Sequence, residues 1–154
     1  MRPLRRWSAE LASDAGSASL EFITVGVLML VPFVYLVLAV ASIQGGALAV
    51  EGAARQAARV YVQAPNAREG EARVSRAVQF ALADYGMKAD GAHVSIRCSP
   101  KPRECFTRRG TVTVTVAVRA PLPLVPEALD LAKTASVPLQ ATAAQQVSRF
   151  WGAR

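Results

Sequence analysis

Apolar and polar positions follow three rhythms in turn along the chain. From Phe22 to Val50, 29 consecutive residues carry no charge, enough for about 43 Å of helix at about 1.5 Å per residue. A bilayer core of about 30 Å needs only about 20 such residues. The run therefore predicts a membrane span with roughly two further turns projecting beyond it. Its continuation to Gln63 is rich in small residues: Ala47, Ala53, Ala54, Ala57 and Ala58, with Ser42 and Gly46 four apart. Small residues at that spacing let a helix approach its partner closely. Glu51, Arg55 and Arg59 recur at four-residue steps and mark a charged stripe in the favourable acid-to-base order. The alanine face wants a partner, either this chain's own sheet or another subunit's helix.

The second rhythm is that of a soluble amphipathic helix. Pro65 ends the first helix, and Asn66 followed by Glu69 has the spacing of a capping box. Val74, Val78, Ala81, Leu82 and Tyr85 then trace one apolar stripe, and Gly86 stands where a helix-ending glycine belongs. The third rhythm is period two. His93 to Cys98 alternates with Val94, Ile96 and Cys98 on one face, and Thr111 to Val118 sets four valines against three threonines and an alanine. Cys98 to Cys105 is a Pro-bearing loop joining these strands as a hairpin. Ala120 to Pro126 reads as an extended connector leading to a short turn of helix at Glu127 to Leu131. Ser136 to Val147 supplies a third strand with Val137, Leu139 and Ala141 on one face. Phe150 and Trp151 read as an aromatic anchor packed on the core. The predicted fold class is α+β: a long transmembrane helix continuing into a soluble helix, a second amphipathic helix, and a small antiparallel sheet of about three strands.

Charge adds little to this picture. Three arginines against two carboxylates in residues 1–16 leave +6 of the net +7 on the remainder. That excess is spread thinly, without a Lys/Arg-rich block interleaved with aromatics, so no nucleic acid is expected as a partner. Anionic lipid headgroups or wall polymers suit it better. Arg2, Arg5, Arg6 and the α-amine outweigh Arg55 and Arg59 beyond the span, which orients the chain N-in/C-out. On the outer side Cys98 and Cys105 can pair, a bond that stabilises by roughly 2–3 kcal/mol on the loop-entropy model. Their spacing, with the single distant His93, lacks the ligands of a zinc site. There is no nucleophile beside a base, no phosphate-binding glycine loop and no paired-carboxylate motif. The expectation is a protein that is not an enzyme and uses neither cofactor nor metal.

The most specific feature is the entrance to the span. Glu21 sits at its mouth, five residues after Gly16, inside the string Gly16-Ser-Ala-Ser-Leu-Glu-Phe22. This resembles the processing site of the type IV pilin superfamily, where a basic leader ends in glycine and the fifth mature residue is glutamate. The wording, with Pro32 inside the apolar run, is most similar to the TadE-type pseudopilins of tight-adherence (Flp) pilus systems, over about Gly16 to Arg59. The resemblance implies a prepilin-type leader over 1–16, a transmembrane and protruding helix over 17–64, and an extracytoplasmic domain over 65–154. It further implies cleavage by a prepilin peptidase between Gly16 and Ser17, with Glu21 and Phe22 serving recognition and assembly register. Pro32 would be a helix break, either a harmless kink or a segment that stretches on leaving the membrane. The implied partners are other pilin or pseudopilin subunits, an assembly platform with its ATPase, and the lipid bilayer of the bacterial cytoplasmic membrane. Flp major pilins are much shorter, so the length points to a minor pseudopilin.

Three other readings bear on the same residues. For Glu21 alone, a first-turn acid gains about 0.3–1 kcal/mol from the helix dipole. For the span, Ala39-Val-Ala41 has the form of a secretory cleavage site. The apolar run before it is about 20 residues, against 7–15 for a signal core, and Glu10, Asp14 and Glu21 sit badly in a signal's basic region. For the whole chain, the alternative is a single-pass, signal-anchored envelope protein with an external binding domain that never assembles into pili.

Overall fold

The computed structural model describes the backbone of residues 4–124 and 136–152, and side chains within those bounds from residue 18 onward. The elements are α1 (Leu4–Val62), α2 (Ala67–Ala83), β1 (His93–Ser99), β2 (Thr111–Pro121) and β3 (Ser136–Gln146). They form the α+β, pilin-like layout: a long apolar N-terminal helix, a second helix, and one antiparallel sheet in the order β1-β2-β3. The short helical turn expected at Glu127 to Leu131 lies outside the described residues. Two compact units share the chain, residues 1–40 and 41–154.

In the first unit α1 passes through Pro32 without interruption. The Thr24 hydroxyl donates to the Leu20 carbonyl at 2.7 Å, so this polar group is satisfied within the helix. The backbone helix also runs back through the expected leader to Leu4.

The second unit is built around the last six turns of α1. Ala49, Val50, Ala53, Ala54, Ala57, Ala58 and Tyr61 are buried in one cluster with Val74, Val78 and Leu82 of α2 and with the inward valines of β2. The partner of the alanine face is therefore the chain's own sheet and second helix. Gly46 shows how close that approach is: a Cβ there would lie 2.7 Å from Leu139 Cδ1 and 3.4 Å from Ala120 Cβ.

The alternation in β2 holds to the residue. Val112, Val114 and Val116 are fully buried and Val118 nearly so, while Thr111, Thr113 and Thr115 are half-exposed on the other face. There the Thr115 hydroxyl lies 2.9 Å from that of Thr142 on β3, a cross-strand pair of the kind that stabilises a sheet. β1 pairs with β2 from His93↔Ala117 to Ser99↔Thr111, and the Cys98–Cys105 disulfide closes the connecting loop with a Cα separation of 5.0 Å.

The ends of α2 follow capping chemistry. Asn66 is the N-cap and accepts the Glu69 amide at 2.9 Å. The Glu69 carboxylate does not complete the box; it pairs with Arg73 one turn on at 3.0 Å. At the other end Met87 donates to the Leu82 carbonyl and Gly86 to that of Ala83. These are the two bonds of a Schellman ending, which requires the left-handed backbone that Gly86 supplies at φ 69°.

Two sequence expectations fail. Tyr85 is 52% exposed, because α2 ends at Ala83 and the chain turns away before the apolar stripe reaches it. Phe150 is 68% exposed and lies under the Arg149 guanidinium, 4.8 Å from its ring centroid. Only Trp151 of that pair acts as an anchor, stacked on Phe106 at 5.0 Å with its indole N–H donating to the Ala64 carbonyl.

Candidate functional site

The candidate site is the outer surface of α1, which changes character along its length. Every residue from 18 to 38 is exposed, on all sides of a helix whose mean hydropathy reaches 2.6. A helix that is apolar all round belongs in a protein core or a membrane. Among the described residues nothing covers it, and it is long and apolar enough to cross a bilayer.

From Ala41 onward the same helix becomes two-faced. One side is the buried alanine surface. The other exposes Ala47, Leu48, Glu51, Gly52, Arg55 and Arg59, with Glu51 and Arg55 paired across one turn. That pair is well solvated on both sides and contributes little to stability.

Glu21 and Phe22 lie at the start of the fully exposed stretch, and Phe22 is 80% exposed. Among the described residues Glu21 has no hydrogen-bond or ion-pair partner. Gly16 and Ser17, the expected processing site, lie on the helical backbone of α1, and the Ser17 side chain lies outside the described residues. Pro32 falls mid-way along the apolar stretch. Cys98 and Cys105 sit far along the chain from all of these, on the hairpin loop, and are joined.

Two features were not legible from spacing. Four arginines from separate stretches of the sequence, Arg103, Arg108, Arg109 and Arg149, gather at one end of the second unit. The loop bearing Lys101, Arg103, Arg108 and Arg109 is bonded to the segment bearing Arg149: the Arg109 amide donates to the Val147 carbonyl, and Arg108 Nε donates to the Trp151 carbonyl at 3.1 Å. Phe106, one residue from Cys105, is the centre of a stack between Tyr61 at 5.3 Å and Trp151. Burial, with the Glu71 carboxylate as the smaller cause, raises the Tyr61 phenol above its ordinary value. Trp151 is the anchor expected from the sequence, whereas its partners Phe106 and Tyr61 carried no signal beyond an aromatic residue beside a cysteine.

Among the described residues no group of three or more His, Cys, Asp or Glu is placed to hold a metal ion. Comparison with family models, with curated proteins and with solved structures finds no match to this chain.

Proposed function

We propose that the chain is a TadE-like minor pseudopilin of a tight-adherence (Flp) pilus system, without catalytic activity of its own. The observation that carries this reading is the two-part helix: an uncovered apolar stretch over 18–38, continuous with a segment whose alanine face is sealed by its own sheet. An envelope subunit that must live first in lipid and then among sister helices needs that combination. The uncovered stretch suits either environment, and the sealed segment carries the folded domain along.

In this reading a prepilin peptidase removes the leader after Gly16 and frees the amine of Ser17. The chain sits N-in/C-out in the bacterial cytoplasmic membrane, and the assembly platform and ATPase extract it into or beneath the filament. An unpaired acid at bilayer depth costs roughly 2.5–3.5 kcal/mol. The Ser17 amine of a neighbouring subunit, with an ordinary pKa of about 8, neutralises Glu21 and sets the axial register.

Intact mass of the membrane-extracted protein tests the first step. A chain beginning at Ser17 supports it, and one retaining Met1 favours the signal-anchored alternative. A chain beginning at Ser42 rejects both. Glu21→Ala tests the second step: membrane insertion stays intact and incorporation into sheared pili is lost. Unchanged incorporation removes the register role.

A further inference from the structure

We infer that one end of the second unit is a membrane-resting face, seated on the headgroup layer of the outer leaflet through Tyr85 and Leu124. The inference rests on the span reading but not on pilus assembly.

The starting point is that the folded unit begins inside the apolar run. Residues 41–50 belong to that run by sequence and to the compact unit by packing. A run entering the hydrocarbon at Phe22 uses about 20 residues to cross it, which brings it to about residue 41. Gly45 and Gly46 stand four to five residues further, about 6–8 Å at about 1.5 Å per residue. The headgroup layer of one leaflet has about that thickness. Whatever the fold places beside Gly45 and Gly46 is therefore held at headgroup depth.

The glycine surroundings identify those groups. A Cβ on Gly45 would lie 3.9 Å from Tyr85 Cδ1, and one on Gly46 would meet Leu139, Ala120 and Met87. The same end of the unit carries the end of β2 and the start of β3, paired through Ala120↔Val137 and Pro121↔Ser136. Three residues beyond Pro121, Leu124 holds a left-handed backbone at φ 62° and is 74% exposed. Tyr85 is 52% exposed. Tyr85 is the residue that sequence periodicity wrongly assigned to the core. A tyrosine with an apolar ring and a polar tip is the residue type enriched at membrane interfaces.

Charge separates this end from the other. Among the described residues the near end carries Asp84, Lys88, Asp90 and Arg119, two of each sign, so the attraction of its described part to a bilayer is apolar and interfacial. The arginine-bearing loop and the Arg149 segment lie at the opposite end, with Trp151. The basic pole is thus turned away from the lipid, which reverses the expectation that anionic headgroups attract the domain.

The test places the photocrosslinker p-benzoylphenylalanine, one site at a time, in the full chain at Tyr85, at Leu124, at Phe33 within the span, and at Phe150 on the opposite pole. Each protein is reconstituted in phosphatidylcholine vesicles with and without phosphatidylglycerol, irradiated and weighed. The expected result is a mass increase of one phospholipid at positions 33, 85 and 124, absent at 150, and independent of phosphatidylglycerol. Adducts at 33 without adducts at 85 and 124 overturn the resting face and leave the span intact. Equal adducts at 150, or adducts at 85 and 124 that need phosphatidylglycerol, overturn it too. No adduct at 33 overturns the span and this inference together.

Discussion

Replacing Ala57 by leucine asks which partner the alanine face has. Ala57 is fully buried in the cluster shared by α1, α2 and the sheet, so three added carbons must displace packed neighbours. Overpacking of that kind costs about 1–3 kcal/mol. For a folded unit of this size about 1 kcal/mol lowers the melting midpoint by about 4 °C, so Ala57→Leu should lower it by about 4–12 °C. Ala47→Leu is the matched control: the same side chain in the same helix, at an exposed position. Helix propensity is equal in the two variants, and a surface change of this kind stays within about 0.5 kcal/mol. Thermal unfolding of the detergent-solubilised full chain reads the difference, followed by the near-ultraviolet dichroism of the Tyr61–Phe106–Trp151 stack. If the two variants melt together, the alanine face is not sealed by the sheet and the packing described above is wrong.

The other predictions concern the same unit. Cys98→Ala with Cys105→Ala should cost about 2.5 kcal/mol on the loop-entropy model for a short closed loop, and an unchanged midpoint by calorimetry would refute it. Asn66→Ala removes the acceptor for the Glu69 amide and should cost about 1 kcal/mol in chemical unfolding; no loss would mean the cap is idle. The Tyr61 phenol has its folded pKa raised above the ordinary 10.0, so its contribution is fully present below that value. It is lost as pH rises through the folded value. Tyr61→Phe should therefore flatten part of the alkaline decline in stability, and an identical decline in both proteins counts against the buried phenol.

Much of this fold is readable from spacing, because its elements obey strong periodicities. Thr111 to Val118 alternates without exception, and the sheet needs nothing more to orient it. Asn66 and Gly86 mark the ends of α2 by chemistry that acts within a few residues. The failures share a cause: periodicity gives the direction of a side chain but not where its partner surface stops. Tyr85 continues the stripe of Val74, Val78 and Leu82, yet α2 ends at Ala83 and its ring meets only the edge of α1 beside Gly45, staying 52% exposed. The outer end of β2 reaches Pro121 because Ser136 pairs with it, a contact between segments fifteen residues apart. At the candidate site the same limit holds. The exposure of Glu21 follows from its place before the run, whereas the closure of the alanine face depended on a sheet formed far downstream.

The two terms acting on α1 differ in size, and the difference assigns their roles. Between Leu20 and Val40, sixteen large apolar side chains are 36–80% exposed. Fully burying one such side chain is worth about 1.5–3 kcal/mol, so covering the remaining half of each is worth on the order of 15–20 kcal/mol. That matches or exceeds the whole stability of an ordinary domain, about 5–15 kcal/mol, so the stretch must be covered by lipid or by other helices. The roughly 2.5–3.5 kcal/mol cost of an unpaired acid at depth cannot reverse it. Glu21 therefore does not decide whether the helix is covered. In the proposed role it decides only how far along its axis the helix can slide before the acid leaves water or an amine. In the proposed pseudopilin, hydrophobicity makes the helix interchangeable between membrane and filament, and one carboxylate fixes its height in each.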